Sequence, residues 1–327
     1  MENNITKYAA CTLYENHYHY GVAVLINSLY AKGYKGKFYI GYRGSLPPWV
    51  IESFSNQNQN EDEENYFRVN ENLILIFIKL NTSIHFSNFK PQFMKTVCSR
   101  DPEIDAIYYF DPDIVIYESW TLFLEWINSG VAVCEDINSP LEKYHPKRVK
   151  WRELYSKKGE SLIFKNSIYV NGGFLGLHKD DFYFLDNWIK SLEILAPYIG
   201  GLEKASFKGV NYLDLDFRND YFPFSKTDQD ALNIAIELYQ GNISYIGKEG
   251  MSFASGPRIM SHALGEKKPW LISPFLEMIK GITPRIVDKD FWRFVESPLK
   301  IYSKYFLKWR RFELKLSSLI GRFYSRN

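Results

Sequence analysis

The run YYFDPDIVIY, residues 108–117, sets two carboxylates, Asp111 and Asp113, inside an otherwise aliphatic and aromatic stretch. A buried carboxylate without a partner is costly, so the pair asks for a compensating charge. Hard oxygen donors at this spacing suit Mg2+ or Mn2+, above all when a phosphate completes the shell. Residues i and i+2 of a strand share a face, so both acids can address one ligand. Spacing alone is weak evidence. Asp214 and Asp216 in LDLD repeat it, follow no convincing strand, and read as a polar loop.

Three other stretches carry chemistry-bearing residues. YVNGGFLGLH (169–178) places Asn171, Gly172 and Gly173 after a β-like run, where absent side chains let the backbone approach a ligand. TDQDALN (227–233) reads as a helix start with Thr227 or Asp228 as N-cap, so its first turn can present Gln229 and Asp230. SHALGEKKPW (261–270) ends a strand with His262 and then offers Gly265 and Lys268 ahead of a rigid Pro-Trp. An imidazole, a flexible glycine and a lysine in one loop suit joint handling of a metal and a diphosphate.

In this order, D-x-D, N-G-G, D-Q-D and H-x-x-G-x-x-K-P-W resemble glycosyltransferase family 8, over roughly residues 7–272. The resemblance implies an α/β, GT-A (Rossmann-like) nucleotide-diphospho-sugar transferase fold, with a mixed, mainly parallel sheet and helices on both faces. It implies Mn2+ (or Mg2+) on Asp111, Asp113 and His262, and donor-diphosphate contacts from Lys268 and from Lys95, sixteen positions before the D-x-D. Asn171, Gly172 and Gly173 would meet the donor sugar, and Asp228, Gln229 and Asp230 would lie near its anomeric carbon. Gly265 belongs to the donor loop, and the end of the first strand, at Ala10, Thr12 and Tyr14, would hold uracil and ribose. The implied activity is transfer of a hexose from a UDP-sugar to a saccharide or lipid-linked glycan, with retention. Front-face displacement is preferred, and a covalent intermediate on Asp228 or Asp230 is the alternative. A catalytically inactive protein of the same fold, binding a sugar nucleotide or acting at a membrane, is the alternative function.

Elements that must position these residues alternate along the first 120 positions. Strands are expected at 7–13, 37–44, 72–80 and 105–116, and helices at 19–33, 47–55 and 91–100. Near-continuous apolar strands alternating with helices indicate a parallel sheet covered by helices on both faces. The polar stretch 55–65 reads as a solvated loop, and 137–166 as an excursion on the acceptor side. A strand and turn at 168–178, helices near 180–195 and 227–239, and strands near 243–247 and 258–262 follow. The expected division is a catalytic domain, 1–280, and a helical C-terminal extension, 281–327.

With 46% hydrophobic and 17% aromatic residues the chain can bury a large core. Its net charge is only +2, yet residues 299–327 hold eight Lys/Arg against the single acid Glu313, leaving 32 basic and 37 acidic residues elsewhere. Seven aromatics are mixed into that basic stretch at helix-like spacing. It reads as an amphipathic helix on an anionic membrane surface, or as a helix packed on the domain with its charges in water. No nucleic-acid motif accompanies it, and nucleic acid is not expected as a partner. Cys11, Cys98 and Cys134 form no metal-binding pair and read as reduced thiols. The start of the sequence lacks a signal-peptide pattern and no apolar run is long enough to span a bilayer. A cytoplasmic protein, peripheral on the inner face of the membrane, is the expectation.

Overall fold

The computed structural model describes residues 7–54, 64–204 and 221–323; Asp214, Asp216 and most of the expected 55–65 loop lie outside them. In chain order the elements are β1 (Tyr8–Glu15), α1 (His19–Ala31), β2 (Gly36–Arg43), α2 (Pro48–Phe54), β3 (Glu64–Asn70), β4 (Leu73–Lys79), α3 (Phe86–Arg100) and β5 (Ala106–Phe110). Then come β6 (Ile114–Ile116), α4 (Trp120–Trp126), β7 (Val131–Cys134), α5 (Pro146–Ser156), β8 (Phe174–His178), α6 (Phe184–Ile199) and α7 (Thr227–Leu238). The chain finishes with β9 (Ile243–Ile246), β10 (Met260–His262), α8 (Pro274–Ile279), α9 (Ile286–Arg293) and α10 (Lys304–Ile320). The α/β character expected from the alternation is what the chain adopts, but the pairing is mixed rather than all parallel, as the resemblance implies: β3 with β4, β5 with β8 and β7 with β8 are antiparallel.

Two compact units divide the chain, one from residues 1–13, 80–110 and 123–248, the other from 14–79, 111–122 and 249–327. In the first, strands run in the order β1-β5-β8-β7-β9. β1 pairs parallel with β5, which pairs antiparallel with β8, and β7 pairs antiparallel with β8 and parallel with β9. Its largest buried side chains include Trp151, Trp188, Tyr155 and Tyr169. Their polar atoms are satisfied where burial demands it: the Trp151 indole donates to the Pro223 carbonyl at 2.6 Å, and the Tyr155 hydroxyl to Ser191 at 2.6 Å. Here α5 occupies the stretch read as an excursion, and it buries Lys147 and Arg148. α6 ends on Gly200, whose left-handed conformation (φ 73°) suits a residue without Cβ.

In the second unit, β3-β4-β2 lie in that order, with β2 and β4 parallel and β3 antiparallel to β4. A separate two-stranded ribbon pairs β10 antiparallel with β6 and sets His262 opposite Ile114. The stretch 105–116 is therefore not one strand: it breaks at Asp111, and β6 takes a different partner. β3, a half-polar strand, falls in a region where no strand was expected. The unit's core joins Val24 of α1 and Val115 of β6 to Trp270, Phe291, Trp292, Leu307 and Leu314. Most of the 281–323 region thus packs into this unit rather than standing apart from it.

α1 is apolar almost all round, as a helix buried on every side must be. At its start, His19 is half-buried and its Nδ1 has no hydrogen-bond partner. Burial, then the neighbouring His17, lowers its pKa to about 4. The unfolded chain therefore takes up this proton near pH 6.5 while the folded one resists until about pH 4. Stability from this group is present above pH 6.5 and is lost on acidification through that window. Since the ring is half in solvent, His19→Gln should remove about 1 kcal/mol of the acid-induced loss, read as the difference in urea-unfolding free energy between pH 7 and pH 5. Equal pH profiles for variant and wild type would refute this.

Candidate functional site

In the second unit the β5–β6 turn and the end of β10 bring Asp111, Asp113 and His262 together, with one ligand atom from each lying within 4.8 Å of the others. The register of the β6–β10 ribbon does this, and the Ala263 amide donates to the Asp113 carbonyl at 3.1 Å. His262 Nε2 lies 3.2 Å from Asp113 Oδ1 and 3.9 Å from Asp111 Oδ2. Lys268 Nζ donates to the other Asp113 oxygen at 2.5 Å and to the Ala263 carbonyl at 2.7 Å. The side chain of Asp113 is only 6% exposed. Burial pushes its carboxyl toward the neutral form, but His262 and Lys268 outweigh that and hold it well below the usual carboxylate range. Two carboxylates and an imidazole converging in this way form a donor set that fits Mn2+ or Mg2+.

The loop that carries Lys268 is fastened on both sides. Gly265 takes a left-handed conformation (φ 78°) that L side chains rarely adopt. Arg285, which no motif pointed to, donates to the carbonyls of Leu264 (3.2 Å) and Lys267 (2.6 Å). Trp270 anchors the far end: its ring packs in the core, and its indole N–H donates to His17 Nδ1 at 2.9 Å. Tyr18 stands beside the site, with Lys268 5.7 Å from its ring centroid. Tyr14, at the end of β1, is buried in a stack with Tyr42 and donates to the Ser45 carbonyl at 3.3 Å.

In the first unit the N-G-G turn and the D-Q-D helix start come together. The Gly172 amide donates to Gln229 Oε1 at 3.2 Å, and a Cβ on Gly172 would sit 3.1 Å from an Asp228 oxygen. Lys90, 3% exposed, ties the two by donating to the Gly172 carbonyl (2.8 Å) and to Asp228 (2.9 Å). The Asn171 side-chain Nδ2 donates to Asp136 at 2.7 Å, and Lys226 lies 3.6 Å from the same carboxylate. Burial would raise the Asp136 pKa, but Lys226 and the amide hydrogen bonds lower it instead. Thr227 and Asp228 do not cap α7. Lys226 is the N-cap, and the Asp230 carboxylate accepts its amide at 2.9 Å. Asp230 also accepts from Lys147 (3.2 Å) and from the Tyr169 hydroxyl (2.8 Å), and is wholly buried. Burial raises its pKa, partly offset by Lys147.

Other residues singled out in the sequence sit elsewhere in this unit. Lys95 is exposed and pairs with Asp186 on the surface. Ala10 and Thr12 are wholly buried, and the Thr12 hydroxyl donates to the Phe110 carbonyl at 2.7 Å. Lys90, Asp136 and Lys147 were not singled out. Lys90 had a faint signal, a lysine set among aromatics in NFKPQFM, and Asp136 a better one, an acid just past the buried strand VAVC.

The two acids of the D-Q-D motif should behave differently. Asp230→Asn leaves Lys147 buried without its counter-charge, and should cost about 3–5 kcal/mol of unfolding free energy. Asp228→Asn should cost less, about 2 kcal/mol, because that carboxylate is partly exposed and Lys90 keeps the Gly172 carbonyl. Urea unfolding of both variants measures the ranking, which the reverse order would overturn.

No protein-family description and no curated protein matches the sequence. Among solved structures, the chain is similar to WbbM, a bifunctional glycosyltransferase, with a TM-score of 0.48 and 15% identity over 94% of this chain and 51% of that one. It is also similar to an active-site mutant of LgtC, with a TM-score of 0.48 and 14% identity over 92% and 99% of the two chains. The galactosyltransferase LgtC in complex with donor and acceptor sugar analogues gives 0.47 and 14% over 94% and 100%. The chain spans about half the length of the WbbM chain. Likeness at this level decides nothing by itself, so the weight falls on the side chains.

Proposed function

We propose that this chain is a metal-dependent glycosyltransferase that moves a hexose from a UDP-sugar to a saccharide or lipid-linked glycan with retention of configuration. The observation that carries the reading is the convergence of Asp111, Asp113 and His262, with Lys268 on the same carboxylate. Asp111, Asp113 and His262 would hold Mn2+ or Mg2+, which supplies Lewis-acid stabilisation of the charge developing on the leaving diphosphate. Lys268 adds a second positive charge for the same purpose, held in place by the Trp270 anchor. The left-handed turn at Gly265 leaves the backbone bare for a phosphate to approach. Asn171 to Gly173, with Asp228 and Gln229, take the role of orienting the donor sugar. Asp230, engaged by Lys147 and Tyr169, positions the helix start, and Asp228 is held by the buried Lys90; both carboxylates are committed to ion pairs and are poor nucleophiles, which favours front-face displacement, with the leaving phosphate accepting the acceptor's proton. The basic stretch 299–327 is read as facing an anionic membrane at the cytoplasmic side, where a lipid-linked acceptor would be found. Among the described residues, no helix is long and apolar enough to cross a membrane.

Binding alone tests the donor reading. UDP and Mn2+ together should raise the unfolding temperature more than the sum of either alone, since ligand at a hundred times its Kd adds about 2.7 kcal/mol. Failure of UDP to stabilise the protein at any Mn2+ concentration would contradict it.

A further inference from the structure

Where α9 meets α10, a groove of about 680 Å3 has cations along both walls. Lys289 and Arg293 stand one turn apart on α9, Arg311 and Lys315 stand one turn apart on α10, and Arg322 lies just past the end of α10. Of these five, Arg311 has an ion-pair partner, Glu296; Lys289, Lys315 and Arg322 have none among the described residues. Like charges one turn apart on a helix repel, and here two such rows line one groove. Its lining also includes the ring of Trp292, 2% exposed, with Leu314 and Leu319. The crowding of like charge is relieved by an anionic occupant with acceptor oxygens. The apolar floor, and the exposed Ile286, Leu319 and Phe323 on the same stretch of chain, add a requirement for hydrocarbon.

We infer that the α9–α10 groove is a site for the phosphate head of an anionic phospholipid. The guanidinium and ammonium groups take the phosphate, which arginine can grip through two parallel hydrogen bonds, and the hydrocarbon lies over the apolar side chains beside the groove. The inference rests on the reading of the C-terminal stretch as membrane-facing and sharpens it from a diffuse basic surface to a defined pocket. It does not depend on the donor chemistry.

The test compares two triple variants of the full chain that remove equal charge. One is Lys289→Gln/Arg293→Gln/Lys315→Gln, in the groove; the other is Lys300→Gln/Lys304→Gln/Lys308→Gln, exposed and outside it. Co-sedimentation with vesicles of phosphatidylcholine, with and without phosphatidylglycerol, gives the affinities. The groove variant should lose at least about tenfold in affinity for the phosphatidylglycerol vesicles, and the outer variant less than about threefold. Equal losses would overturn the pocket and leave a diffuse electrostatic surface in its place. Wild-type protein that ignores anionic vesicles would overturn the membrane reading along with the pocket. Soluble glycerophosphate that displaces the protein from vesicles as well as dihexanoyl-phosphatidylglycerol does would reassign the groove to a free phosphate and overturn the lipid assignment.

Discussion

Lys268→Met is expected to bind Mn2+ at least tenfold more tightly than the wild type, and to transfer sugar at least a hundredfold more slowly. In the structure Lys268 holds the Asp113 oxygen that is not turned to His262. A metal ion approaching Asp113 meets an ammonium already on the carboxylate, and two unit charges about 4 Å apart repel by roughly 4 kcal/mol at the effective dielectric of a protein surface. Removing the lysine removes that competitor. The same lysine is the residue proposed to meet the diphosphate, and the loss of one such preorganised donor costs on the order of a hundred- to a thousandfold in rate. Affinity for metal and turnover therefore move in opposite directions. Calorimetric titration with Mn2+ in the absence of nucleotide, beside steady-state turnover, reads both. A purely structural lysine would weaken metal binding when removed, and that result would exclude the exchange. The metal-free variant should also be less stable by about 3–5 kcal/mol, because Asp113 stays buried with fewer partners, and Mn2+ should restore most of the loss.

Gly21→Ala carries the second large effect, with a sign opposite to helix propensity. Alanine in place of glycine inside an ordinary helix is favourable by about 1 kcal/mol. At position 21 of α1 the added Cβ would lie 2.1 Å from the Pro112 carbonyl oxygen and 2.9 Å from the Trp270 ring. Neither can move freely: Pro112 sits between Asp111 and Asp113, and Trp270 closes the Lys268 loop. Overpacking of this kind costs about 1–3 kcal/mol, and here the displacement falls on the turn that carries two of the proposed metal ligands. The variant should lose about 2 kcal/mol of stability and bind Mn2+ about tenfold more weakly. Gly33→Ala is the control. Its φ of 96° makes alanine strained, but a Cβ there meets nothing within 4 Å. That variant should lose stability with unchanged metal affinity. Equal metal binding by Gly21→Ala and wild type would show that the turn tolerates the contact.

Much of the candidate site could be read in the sequence because its residues depart from their surroundings. Acids in an aromatic strand, paired glycines after another, and an imidazole ahead of a Lys-Pro-Trp are each locally out of place. What could not be read was the pairing between distant parts of the chain. The break after Phe110 follows from β6 leaving to pair with β10, a partner far along the chain, and apolar content alone does not distinguish one strand from two. β3 is not legible in the sequence because Glu64–Asn70 mixes polar residues with Tyr66, Phe67 and Val69 in no clean alternation, and its place is fixed by antiparallel pairing with β4. Lysines are seldom buried, so the sequence does not mark Lys90 and Lys147 as buried residues. Their burial depends on Asp228 and Asp230, which lie far along the sequence. Thr12 illustrates the reverse: a polar residue at a strand end looked available, yet its hydroxyl is turned to the Phe110 carbonyl.

The most direct measurement is consumption of UDP-sugars by the purified protein, across a panel of hexose donors, with and without Mn2+, beside Asp113→Asn. The expected result is slow hydrolysis of one donor, only with metal and only by the wild type, while the variant keeps its fold. Metal-independent consumption, or an Asp113→Asn variant as active as the wild type, would contradict the assignment of Asp111, Asp113 and His262 as the centre of the chemistry.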